Sequence, residues 1–157
     1  MIVMEMENGK KVKIELLPDA APKTAANFEK LVKEGFYDGL TFHRVIPGFM
    51  VQGGDPLGNG MGGSEENIPG EFRSNGWNNR LKHTRGVISM ARAYDPNSAS
   101  SQFFIMHADA PHLDGSYAAF GRVTEGIEVI DEIAAVPTDR RDKPLTPVVI
   151  KRMYLED

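Results

Sequence analysis

The sequence predicts a mainly β fold of about eight short strands accompanied by two helices, and three observations carry that reading. Short apolar segments, the first two alternating with polar residues, are separated by clusters of Gly, Pro, Asn and Asp. A 3.6-residue apolar period occurs in just two places. The chain has 157 residues, 41% of them hydrophobic, and no Cys. At that length about 70% of the unfolded surface can be buried, enough for one core without a disulfide or metal staple. Residues 1–157 are therefore expected to form one domain.

At the N-terminus Ile2, Met4 and Met6, then Val12, Ile14 and Leu16, flank Asn8-Gly9, a dipeptide that tolerates the positive φ of a tight hairpin turn. After Pro18 the period changes. Pro22 suits a first helical turn, Phe28, Leu31 and Val32 form a stripe, and Gly35 stops a helix predicted over 22–34. Strands are predicted over 40–46, 49–52, 86–91, 102–106, 118–123 and 148–155. A second helix is predicted over 126–135, with Ile127, Val129, Ile130 and Ile133 apolar and Pro137 closing it. About eight strands can close into a barrel and so abolish exposed edges. The long aperiodic stretch 53–85 marks where function is to be sought.

Composition excludes several classes. Without Cys there can be no thiolate zinc site, iron–sulfur cluster, redox dithiol or Cys nucleophile. The 18 basic and 22 acidic residues, net charge −4, form no long runs, so nucleic acid is not an expected partner. No apolar stretch approaches the ~18 residues of a membrane span, and acids stand where a signal peptide needs basic residues. The expectation is a cytoplasmic protein that starts near Met1 and does not engage membranes.

The familiar short motifs fit poorly. Gly58-x-Gly60-x-x-Gly63 matches a dinucleotide fingerprint in form, but Ser64-Glu65-Glu66-Asn67-Ile68-Pro69 follows it instead of a helix that could meet a pyrophosphate. Asp55, Asn59, Gly60 and Glu66 fall at calcium-loop spacings, but Leu57 takes the place of the third ligand. His43, His83, His107 and His112 lie in no His-Glu-x-x-His or Gly-x-Ser-x-Gly context, so neither a metal nor a catalytic triad is expected. Glu65, Glu66 and Glu71 lie in polar context, where nothing raises a carboxyl pKa for acid–base work. No cofactor is expected.

Longer segments are more telling: Phe42-His43-Arg44-Val45-Ile46-Pro47-Gly48-Phe49-Met50-Val51-Gln52-Gly53-Gly54-Asp55, then Ser101-Gln102-Phe103-Phe104-Ile105 and Leu113-Asp114-Gly115. With Ala21-Pro22-Lys23-Thr24-Ala25-Ala26-Asn27-Phe28, Leu81-Lys82-His83-Thr84 and Phe120-Gly121-Arg122-Val123, they make the chain resemble the cyclophilins, the peptidyl-prolyl cis–trans isomerases. In order and spacing the resemblance spans essentially the whole chain. It implies a closed eight-stranded antiparallel barrel capped by two helices, and catalysed rotation about X–Pro bonds in peptides and in unfolded or flexible protein segments.

Such rotation faces a barrier of about 18–20 kcal/mol because amide resonance is broken, and uncatalysed it takes about 10–100 s. A catalyst needs an apolar socket for the proline ring, grips on the peptide backbone and a donor that favours the twisted amide. By resemblance Arg44 is the donor to the prolyl nitrogen, Gln52 supports it and touches substrate backbone, and Phe49 completes the catalytic set. Met50, Phe104 and Leu113 would line the socket with Phe49, while Ala91, Arg92 and Gln102 would follow the backbone groove. His43 is taken as structural support and counted with the substrate-binding positions.

Three departures from the family pattern matter. His112 replaces the tryptophan associated with strong cyclosporin binding, so weakened affinity for that drug is expected. Tyr117 replaces a histidine at the pocket edge, and Arg92 replaces an asparagine and is expected to tilt preference toward acidic flanks. With the loop Asp95-Pro96-Asn97-Ser98-Ala99-Ser100-Ser101, these resemble prokaryotic single-domain members. Since nothing titrates in this scheme, activity should vary little between about pH 6 and 8. A proline-peptide binding module or holdase is the alternative, and a small-molecule barrel a weaker third reading. Without heptads or a sticky segment, a monomer is expected.

Overall fold

Asn8-Gly9 turns the chain as its composition dictates: Gly9 has φ +87°, and Met6 and Lys10 close the turn through Met6 N to Lys10 O at 2.9 Å. The computed structural model describes residues 1–156. It contains β1 (Ile2–Met6), β2 (Lys11–Leu16), α1 (Pro22–Lys33), β3 (Phe42–Ile46), β4 (Met50–Gly53), β5 (Val87–Met90), β6 (Phe103–Met106), β7 (Ala119–Glu125), α2 (Ile127–Ala134) and β8 (Ile150–Leu155). Short 3-10 turns lie at Arg73–Asn75 and Pro111–Leu113. The predicted elements are present, with ends displaced by one or two residues.

All strands pair antiparallel in the order β3-β4-β6-β5-β7-β2-β1-β8. The expected closed barrel is corrected here, because the ladder starts at β3 and ends at β8 and the sheet is open. Its two edges touch at one isolated bridge, Thr41 with Val149, where Phe42 N donates to Val148 O at 3.0 Å and Ile150 N to Leu40 O at 2.8 Å. Beyond the bridge β3 takes another partner. Val45 N donates to Asp142 O at 2.7 Å, so the connection between α2 and β8 covers the β3 edge that β8 would have paired.

The core fills the space between sheet and helices. Phe28 of α1 sits 5.5 Å edge-on to Phe103, 5.0 Å from Phe120 and 5.1 Å from Tyr37, centroid to centroid, and all four rings are inaccessible to solvent. Such tilted and edge-to-face contacts are the favoured aromatic geometries. α1 rests against β7 and β8, and α2 against β2, β3 and β4. Large side chains therefore occupy the interior, which leaves the outer face of β3, β4 and β6 to carry a site. Among the described residues no helix is long and apolar enough to cross a membrane.

Candidate active site

Register builds the site. Arg44 of β3 lies opposite Gln52 of β4, Gln52 opposite Phe104 of β6, and Phe104 opposite Ser89 of β5. Directly opposed residues share a face, and so does Met50, two positions before Gln52. A cavity of about 130 Å³ opens over this row, lined by Arg44, Phe49, Met50, Gln52, Ala91, Arg92, Phe104, Leu113 and Tyr117. Its floor is apolar, since Met50, Phe104 and Leu113 are buried. A larger cleft of about 460 Å³ runs between α2 and the segment before β8, lined by residues such as Val129, Ile133 and Leu145. The smaller one is the candidate site because it brings a charged donor and an amide to the rim of an apolar floor.

Amides fix the donor's direction. Arg44 Nη1 donates to Gln52 Oε1 at 3.3 Å, Gln52 Nε2 to Gln102 Oε1 at 2.9 Å, and Gln102 Nε2 to the carbonyls of Gly60 and Gly62 at 3.0 and 2.8 Å. Each amide accepts through oxygen on one side and donates through nitrogen on the other, so the chain has a single polarity that begins at the guanidinium. Arg44 is exposed, and four of its five N–H donors stay outside this chain. Gln102 itself lies in an adjoining cleft of about 210 Å³ that shares Gln52, Ala91 and Arg92 with the first.

The chain of amides ends on the glycine-rich loop, which is organised around a carboxylate of the protein itself. Asp55 is buried and accepts from the amides of Leu57, Asn59 and Gly60 at 2.8, 3.0 and 2.6 Å. Burial raises its pKa, but these amides and that of Gly62 outweigh burial and hold the carboxyl below the usual range. A Cβ on Gly62 would stand 2.1 Å from Asp55 Oδ1, so glycine there is a packing requirement. The fingerprint spacing thus encloses an internal anion.

Several expected residues lie elsewhere or act differently. The β3–β4 register shifts between Phe42 and Arg44, and His43, at that irregularity, is 7% exposed and close to Gly60, with Nδ1 unpartnered. It is not among the residues that line the 130 Å³ cavity. His112 is exposed on the Pro111–Leu113 turn and stacks on Phe49 at 5.7 Å, outside the residues that line the cavity. Arg92 is clamped: its guanidinium lies 4.8 Å from the Phe72 ring centroid and 4.9 Å from that of Tyr117. Its Nε and Nη2 donate to Ser116 O at 3.1 and 2.8 Å, and its Nη1 to the carbonyls of Ala93 and Tyr94 at 3.0 and 3.1 Å. With those donors engaged Arg92 ties two loops together, and the expected pull on acidic flanks has little left to act through. Tyr117 meets Phe104 edge-on at 5.7 Å.

The sequence reading missed a buried set beneath the floor. His83 Nδ1 lies 2.9 Å from Asp114 Oδ1 and His83 Nε2 lies 2.9 Å from Ser89 Oγ, while the ring stacks on Phe104 at 5.9 Å and 17°. Asp114 accepts from Nδ1–H, so Nε2 takes the Ser89 hydroxyl. The constellation has the order of a Ser-His-Asp triad, yet Ser89 and His83 are 0% and 1% exposed, so no acyl group can reach Oγ. It is a scaffold for Phe104. No short motif announces it, because residues 83, 89 and 114 come from a loop, a strand and a turn.

Burial also sets a pH response. It lowers the pKa of His83, against the pull of Asp114, and lowers that of His43, against Asp55. Folded-state values below the unfolded 6.5 mean that this part of stability is full above about pH 6.5 and is lost as pH falls through the folded-state values. Urea midpoints should drop between pH 7.5 and 5, each histidine contributing up to about 1.4 kcal/mol per pH unit, and a level profile would contradict the burial of both. Asp55 and Asp114, held below the usual carboxylate range, add losses only at more acid pH.

Comparison with known proteins identifies the family and the fold. The sequence matches the family described as "Cyclophilin type peptidyl-prolyl cis-trans isomerase/CLD" over residues 1–155. Peptidyl-prolyl cis-trans isomerase ppi1 of Schizosaccharomyces pombe is 48% identical over 147 residues, which cover 92% of this chain and 93% of that protein. Peptidyl-prolyl cis-trans isomerase B of Bacillus subtilis is 53% identical over 123 residues, 78% of this chain and 82% of its own. A cyclophilin-type isomerase of Cryptosporidium parvum, crystallised in the presence of the dipeptide Ala-Pro, superposes with a TM-score of 0.90 at 34% identity, covering 99% and 98% of the two chains.

Proposed function

The chain belongs to the cyclophilin-type peptidyl-prolyl cis-trans isomerases, and on that premise we propose that the 130 Å³ cavity holds the proline ring while Arg44 drives rotation about the preceding bond. The observation that carries the assignment of roles is the one-directional amide chain, which sets a permanent cation at the rim of an apolar floor. Met50, Phe104 and Leu113 receive the ring, with Phe49 as the side wall. As the amide twists, conjugation is lost and the nitrogen lone pair localises; a guanidinium N–H aimed there stabilises the twisted state more than the planar one. Gln52 orients Arg44, and Ala91 with Gln102 borders the strip along which substrate backbone would lie.

An open groove of this kind suits proline-containing peptides and unfolded or flexible segments, with little demand on flanking sequence. The proposal has the chain working as a one-domain monomer in the cytoplasm, on the strength of its sequence, without a cofactor. Exchange spectroscopy on an Ala-Pro-Phe peptide tests it. Cis–trans exchange that accelerates in proportion to added protein is the expected result, whereas line broadening without acceleration would favour the binding module or holdase.

His112 bears on cyclosporin. It presents an imidazole over Phe49 where strong binders in the family carry tryptophan. His112→Trp should tighten cyclosporin binding by roughly tenfold or more, the scale of an aromatic anchor in an interface. Titration calorimetry showing no gain would assign drug affinity to other groove residues.

A further inference from the structure

We propose that His107 is a positioning residue for the isomerisation: it grips the β3–β4 turn and so fixes Phe49 as a wall of the proline pocket. This rests on the reading of Phe49 given above. His107 follows β6 directly, and its ring bridges two elements. Gly48 N donates to His107 Nδ1 at 2.8 Å, and Nε2 lies 3.0 Å from Asp131 Oδ1 on α2. An amide can only donate, so Nδ1 is the bare nitrogen and the ring proton sits on Nε2, facing the carboxylate.

Both ends of that bridge are themselves anchored. Arg85 Nη1 and Nη2 hold the two Asp131 oxygens at 2.7 Å each, and Nη1 also donates to the His107 carbonyl at 2.8 Å. On the turn side, His107 N donates to Phe49 O at 2.9 Å. One residue therefore holds the peptide units on either side of Gly48-Phe49, one through its ring and one through its backbone. Gly48 has φ +76°, and the turn closes through Phe49 N to Ile46 O at 3.0 Å. The next residue, Met50, is in the pocket floor. A turn that carries two consecutive pocket residues has its pose set by the acceptor at Nδ1.

Substitutions separate the two ring nitrogens. Asparagine places its oxygen where Nδ1 stands and can keep the Gly48 bond, while glutamine reaches the Nε2 position and keeps only the Asp131 contact. His107→Ala and His107→Gln should each lower kcat/KM by about five- to tenfold, the factor that one net hydrogen bond makes in a rate, and His107→Asn should stay within about twofold of wild type. The Gly48 amide resonance should move in the first two variants and hold in the third. Long-range proton–nitrogen spectra of the unmodified protein, which need no variant to fold, should show Nδ1 as the unprotonated nitrogen.

A protonated Nδ1 in the unmodified protein, or rescue by glutamine and not asparagine, overturns the proposal. A fully active His107→Ala beside an impaired Phe49→Ala overturns it alone. A fully active Phe49→Ala removes the pocket reading, and this proposal with it.

Discussion

Arg44→Ala should lower kcat/KM for an Ala-Pro-Phe peptide by about 10²–10³, equivalent to roughly 3–4 kcal/mol of transition-state stabilisation, the loss typical of removing one positioned donor. The side chain is exposed and among the described residues makes one hydrogen bond, the 3.3 Å contact to Gln52, so its removal leaves the core untouched. Stability should therefore shift by no more than about 0.5 kcal/mol, which separates a catalytic defect from a folding one. Arg44→Lys restores the charge but not the planar fork that can serve Gln52 and the prolyl nitrogen at once, so it should recover only part of the rate. Exchange spectroscopy gives the rates and thermal unfolding the control. Near-normal kcat/KM in the alanine variant would remove Arg44 from the mechanism.

That donor was legible only in part. The short apolar segments 40–46 and 49–52 are plain in the sequence, and once they pair as a hairpin in the observed register, Arg44 and Gln52 share a face. Their role came from resemblance, because an arginine in a strand has no distinctive local pattern. The hairpin at Asn8-Gly9 and both helices followed from turn and period signals that act within a few residues. What failed was long-range. The open sheet depends on Asp142 supplying the Val45 amide from a connection with no periodicity of its own. The His83, Ser89 and Asp114 set meets only when a loop, a strand and a turn converge, and the clamp on Arg92 needs Phe72 from 20 residues upstream.

Glu71 is the sharpest case of that failure and carries the second large effect. Its sequence context is polar, yet it is 4% exposed and caps α1 from outside the helix. Ala21, at the N-cap position, offers no side-chain acceptor. Glu71 Oε1 instead accepts from Thr24 N and Thr24 Oγ1, both at 2.7 Å, and Oε2 from Lys23 N at 3.2 Å. A negative group at a helix N-terminus also meets the positive end of the dipole. Glu71→Ala leaves the Thr24 amide and hydroxyl buried without partners and should destabilise the fold by about 2–4 kcal/mol. For a chain of this size that lowers Tm by roughly 5–15 °C. Glu71→Gln keeps one acceptor oxygen for Thr24 but turns an N–H₂ toward the Lys23 amide, so its Tm should fall between the two. Because Phe28 hangs from this helix into the Phe103 and Phe120 cluster, loss of the cap should also loosen the core beneath the sheet. Differential scanning calorimetry of the three proteins decides it: an unchanged Tm in the alanine variant would show that α1 holds through its packing alone and that the remote cap is incidental.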